Sequence, residues 1–167
     1  MAAPTQKKLL CLDTDLLFDL ARKQDFAHEF REAFLEKSYE LLLPPAAAYE
    51  LHIIHADSTD ANERELAGIA LVSLRLWRIR PFDLDSTSEA IAERFAQKLI
   101  HRGLVPEDEL GDGLILAQTS LAQVPLLVTS DKHLLDIDEA TLLLAFNEAD
   151  LFPVRPVHPK RLLRALR

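Results

Sequence analysis

Four acids stand out by where they fall along the chain. Asp13 closes the apolar run LLCL and Asp131 follows the apolar run LLVT, so each sits where a short buried strand should end. Asp112 lies near the start of an apolar-periodic stretch that opens at Pro106, and Glu50 lies about one and a half turns into a helix introduced by Pro44-Pro45. Strand-end acids in a parallel sheet share one edge, and helices entered from that edge turn their first residues toward the same hollow. Carboxylates gathered so closely repel one another and raise one another's pKa, so such a group persists with a cation to neutralise it. Hard oxygen donors select Mg²⁺ or Mn²⁺, and the chemistry expected is hydrolysis of a phosphate ester.

Taken singly, each acid has an ordinary explanation, because acids at strand ends and helix starts serve as turn and capping residues. The set, with its order, is what points to a site. Other chemistries find less support. His52 and His55 sit three apart just after Glu50, without the HExxH order of a zinc helix and with no cysteine to help. No GxSxG motif occurs, and Cys11 lies inside an apolar run with no base beside it. Four glycines form neither GxGxxG nor GxxxxGK[ST], which removes the usual nucleotide cradles. His133 follows Asp131-Lys132 and reads as a solvated loop histidine within reach of a phosphate.

The elements that must hold these acids follow from periodicity. Residues 9–12 and the LLVT segment read as buried strands, 41–43 as another, 77–82 as an edge strand ending at Pro81, and 151–154 as the last. Helical spacing covers LLFDLARKQ, then FAHEFREAFLEK with Asp25 as its cap. It covers AAAYELHIIHA, and residues 61–76 with Leu66, Ile69, Ala70, Leu74 and Trp77 inward. A further helix, capped by Ser86 or Ser88, runs to about Arg102 with Ile91, Phe95, Leu99 and Ile100 inward. The acid-led helix runs from about Glu107 to Ala122, residues 137–147 are helical in part, and RLLRALR closes the chain after Pro159. Alternating strands and helices predict a three-layer α/β/α fold with a central parallel sheet.

One domain over residues 1–167 is the expectation, since the length is that of an ordinary domain and 49 % hydrophobic residues supply a sizeable core. A net charge of −8 argues against a protein that holds nucleic acid by a broad basic surface, though a metal site can supply the missing positive charge. The tail from Arg155 to Arg167 carries Arg155, Lys160, Arg161, Arg164 and Arg167 with no acid, either a guide for a polyanion such as RNA or the ordinary cations of a helix C-terminus. A single cysteine, no secretory leader and no long apolar span predict a soluble cytoplasmic protein.

The sequence also resembles a known family, the PIN domains, many of which are metal-dependent ribonucleases and which include the VapC-type toxins of bacterial toxin–antitoxin pairs. LLCLDTDLLFDL is similar to the family's opening strand and Asp-Thr-Asn-type motif, YEL to its Glu-Leu motif, GDGLILAQTSLAQ to its acid-led helix, and LLVTSDKHLL to its Thr-x-Asp strand end. FPVRPVHPKRLLRAL resembles its last strand and Pro-led helix. The resemblance implies that Asp13, Glu50, Asp112 and Asp131 form the catalytic, metal-binding quartet, with Thr129 or Ser130 assisting. It implies Mg²⁺ or Mn²⁺ as cofactor, RNA as substrate, and, for a toxin, a cognate antitoxin that covers the pocket. A homodimer is a further expectation. Asp15 stands where the family more often has Asn or Ser, leaving it as ligand, cap or neither, and Glu109 is either a fifth acid of the pocket or a dipole partner. The alternative reading is a catalytically silent PIN-like binding or assembly module, and the third is a phosphatase or 5′-nuclease acting on DNA.

Overall fold

A computed structural model describes residues 8–167. The chain runs β1 (Leu9–Leu12), α1 (Thr14–Ala21), α2 (Asp25–Glu36), β2 (Glu40–Leu43), α3 (Pro45–Asp57), α4 (Ala61–Ser73), β3 (Ile79–Pro81) and α5 (Ser86–His101). It continues through α6 (Leu110–Leu121), β4 (Leu126–Val128), α7 (Lys132–Leu135), α8 (Glu139–Glu148), β5 (Arg155–Val157) and α9 (Pro159–Leu166). All five strands are parallel, in the order β3-β2-β1-β4-β5. Successive strand residues point to opposite faces, yet Leu10, Cys11 and Leu12 of β1 and Leu41, Leu42 and Leu43 of β2 are all buried, so both faces of the sheet are covered.

The strand order fixes where a site belongs. From β1 the chain winds outward through β2 and β3, then returns to lay β4 against the other side of β1 before adding β5. The direction of winding reverses between β1 and β4, and in open α/β sheets the crevice at such a reversal, beyond the strands' carboxyl ends, is where ligands bind. Register places Leu12 opposite Val128, and the Asp13 amide continues the ladder to Val128 O at 2.9 Å.

Several sequence expectations move by a few residues, each for a local reason. The last strand is Arg155–Val157 rather than 151–154: Phe152 O is engaged by the Ser120 hydroxyl, and pairing with β4 begins at the Arg155 amide. The acid-led helix starts at Leu110, because Glu109 lies at φ −118°, ψ 44° outside helical geometry. Asp25 is the first helical residue and Gln24 takes the cap position without a side-chain bond, whereas α5 is capped by Asp85, which accepts from the Ser88 amide, instead of Ser86 or Ser88. α4 ends at Ser73, short of Leu76, and Ile69 and Ile91, expected inward, are exposed. Among the described residues, no helix is long and apolar enough to cross a membrane.

Candidate active site

At the β1–β4 junction one hydroxyl joins the two strand ends. Thr129 Oγ1 donates to Asp13 Oδ2 at 2.8 Å and accepts from the Asp131 amide at 3.0 Å. Asp13 is 4 % exposed and caps α1, its Oδ1 accepting from the Thr14 amide at 2.7 Å. Asp131 likewise caps α7, accepting from the His133 amide at 2.9 Å. Asp15 is a clasp across the same junction: its Oδ2 accepts from both the amide and the hydroxyl of Ser130 at 2.7 Å.

The helices bring the other acids. Glu50 Oε2 accepts from Thr14 Oγ1 at 3.3 Å, tying α3 to the start of α1. Glu109 and Asp112 arrive at the head of α6, and Glu109, Asp112 and Asp131 each offer an oxygen within 4.8 Å of the others. Together Asp13, Thr14, Asp15, Glu50, Glu109, Asp112, Ser130 and Asp131 line one hollow of about 360 Å³. Asp112 Oδ2 is buried there with no hydrogen-bond partner, an arrangement that costs free energy unless something charged meets it.

Electrostatics report the crowding. Burial, then the charges of Asp15 and Glu50, push the Asp13 carboxyl up to about 7 against the hydrogen bonds from Thr129 and Thr14. Asp112 is pushed up to about 10 by burial, by the Glu109 carboxyl within hydrogen-bonding reach, and by the charges of Asp131 and Asp13. Glu50 is raised as well, chiefly by burial.

Residues 10–140 match the family model of the PIN domain. The chain belongs to the PIN domain family. Its fold is also that of solved structures, with low sequence identity throughout. The structure of VapBC2 from Rickettsia felis bound to a DNA fragment from their promoter gives a TM-score of 0.60 at 14 % identity, covering 90 % of this chain and 98 % of that one. VapBC-1 from nontypeable Haemophilus influenzae gives 0.55 at 13 %, covering 91 % and 98 %. FitAcB from Neisseria gonorrhoeae gives 0.51 at 20 %, covering 90 % and 98 %. No curated protein matches the chain.

The donor set of this PIN domain is all oxygen, its acids are crowded enough to hold protons, and one carboxylate oxygen is orphaned in the hollow. Those features fit a hard divalent cation. A zinc site at His52 and His55 does not form: both are exposed, and the His55 ring faces Arg64 O at 3.1 Å. Cys11 is buried and its thiol is pushed up to about 12 by that burial, so it supplies no nucleophile. His133 Nε2 stands 3.9 Å from Glu109, on the rim. The basic tail is partly spent on neighbours: Arg155 pairs with Glu139 at 3.4 Å, Arg167 pairs with Glu29, and Lys160 lies over the Phe26 ring. Sequence reasoning left out Thr14, whose hydroxyl links Asp13 and Glu50, although its place between two acids in DTD was a visible signal.

Proposed function

We propose that this PIN domain, read as one domain over residues 1–167, is an Mg²⁺- or Mn²⁺-dependent endoribonuclease that acts as the toxin of a cytoplasmic toxin–antitoxin pair. The observation that carries the reading is the meeting of Asp13, Glu50, Asp112 and Asp131, from two strand ends and two helices, around one hollow with an unpartnered carboxylate oxygen. Those four would be the metal ligands; Glu109 would join them as a fifth, since its oxygen lies within 4.8 Å of oxygens of Asp112 and Asp131, while Asp13 and Glu50 face that triad across the hollow. When bound, the cation supplies a more acidic water and neutralises charge on the phosphate and leaving oxygen. The chain's own part is orientation and proton handling. Thr129 and the Thr14 amide orient both oxygens of Asp13, and the Thr14 hydroxyl orients Glu50 Oε2, while the proton of the attacking water would pass to a carboxylate of the hollow that the cation does not engage. Asp15, whose Oδ2 accepts from both the amide and the hydroxyl of Ser130, would clasp β1 to the end of β4 beside the hollow.

The toxin assignment is supported by likeness to the VapBC and FitAcB structures, and the partner it calls for is a small antitoxin placing a basic residue among the acids. The shared hollow favours an enzyme over a silent assembly module, whose acids need not converge. Incubation of the protein with mixed RNA, with and without Mg²⁺ or Mn²⁺, tests the reading, and parallel single-stranded and duplex DNA arms test the DNA alternative. Cleavage should require the metal and fall at least about a hundredfold in Asp13→Asn or Asp112→Asn, beyond what loss of a supporting outer-shell group costs. Metal-independent cutting that survives both changes would defeat it.

A further inference from the structure

The head of α3, the helix that carries Glu50, lacks a cap of its own. Pro44 in the cap position offers no side-chain acceptor, and Pro45 has no N–H, so the first free helical donor is the Ala46 amide. It is satisfied from another helix: Gln118 Oε1 of α6 accepts from Ala46 N at 2.9 Å. Gln118 is 7 % exposed in the otherwise apolar run LILAQ, and burying a primary amide is costly unless it is bonded. Its polar neighbours are turned elsewhere: Thr119 Oγ1 bonds Ile115 O at 2.7 Å, and Ser120 Oγ bonds Phe152 O at 2.6 Å. Gln118 alone among the three joins α6 to α3.

Ala46 lies one helical turn before Glu50, and Gln118 lies on the helix headed by Asp112. The bond therefore crosses between the two acid-bearing helices a short way behind the hollow. The geometry points to Gln118 as a positioning residue that caps α3 from α6 and so sets the spacing of Glu50 and Asp112. This role rests on the proposed metal site for its consequence, though the clamp itself is a property of the fold. Gln118 touches no ligand itself, so its loss should cost less than the roughly tenfold to hundredfold in metal affinity that follows removal of a group bonded directly to a ligand.

Two measurements on the full chain test it: amide hydrogen exchange across α3, and calorimetric titration with Mn²⁺. Gln118→Met, near in size but without the amide, should speed exchange of the α3 amides from Ala46 to Glu50 and weaken Mn²⁺ binding several-fold, short of the roughly tenfold expected for a group bonded to a ligand itself. Ser120→Ala deletes a comparable bond on the same helix and should lower Tm while leaving α3 exchange and Mn²⁺ affinity as in the wild type. Wild-type exchange and affinity in Gln118→Met would overturn the role, as would equal losses in Ser120→Ala. A wild-type protein that takes up no Mn²⁺ would instead defeat the metal reading of the hollow, and the exchange measurements would still decide the clamp.

Discussion

Asp112 shows what the site costs the fold. Its carboxyl, like that of Asp13, is held above its ordinary range by burial and by neighbouring acids, so proton uptake stabilises the metal-free protein. The contribution is fully present below the unfolded pKa of about 3.8 and is lost as pH rises through about 7 for Asp13 and about 10 for Asp112. Metal-free Tm should therefore fall between pH 5 and 9, on the alkaline side of the carboxylates' unfolded values. Divalent cations must displace these protons, so the Tm gain from Mn²⁺ should be larger at pH 8 than at pH 5.5. Asp112→Asn, which cannot ionise, should flatten the fall of metal-free Tm with rising pH and abolish most of the gain with metal. Differential scanning calorimetry at several pH values, with and without Mn²⁺, checks all three; a Mn²⁺ gain that shrinks as pH rises would count against the shared-ion reading.

At the scale of elements, the site depends on how closely α6 sits against its neighbours. A Cβ built on Gly113 would lie 3.0 Å from Ala96 Cβ and 3.2 Å from Ala96 Cα of α5, whereas one on Gly111 meets nothing within 4 Å. Gly113→Ala should thus cost about 1–3 kcal/mol by overpacking, and it should displace the adjacent Asp112 enough to weaken Mn²⁺ binding. Gly111→Ala should be neutral or stabilising by about 0.4–1 kcal/mol. Chemical denaturation of the two variants separates them, and equal stability would refute the packing account. The sequence made the strand-end acids legible because an apolar run that stops at Asp has one simple meaning in a parallel sheet. Helix starts were harder to place: Glu107, Asp108 and Glu109 suit a first helical turn by charge, yet they lie in the loop before α6. β5 was misplaced because LFPV is the more apolar segment, while RPV is the one whose backbone pairs with β4. The role of Gln118 was illegible, since it needs knowledge that two helices far apart in sequence are neighbours.

The molecule as a whole is acidic, with 27 Asp and Glu against 19 Lys and Arg, and its tail cations are partly paired internally. Such a balance disfavours holding a polyanion by a broad basic face, so on the proposed function attraction to a phosphate backbone would come through the hollow once charge there is neutralised. Binding of a short single-stranded RNA to a cleavage-deficient Asp13→Asn chain should then depend weakly on salt, with a log–log slope smaller in magnitude than about 3. A slope several times steeper in fluorescence titrations would reveal an extended basic track. The parallel sheet, its reversal between β1 and β4, and the acids at that reversal form one argument: side chains from residues 13, 50, 112 and 131 meet because the winding of the sheet brings their elements to one edge. Its most direct test is a crystal structure grown or soaked with Mn²⁺ and measured at an energy where manganese scatters anomalously. An anomalous peak inside the hollow, within coordination distance of Asp112 and Asp131 and faced by Asp13 and Glu50, is the predicted result; a crystal that takes up manganese elsewhere while this hollow holds only water would contradict it.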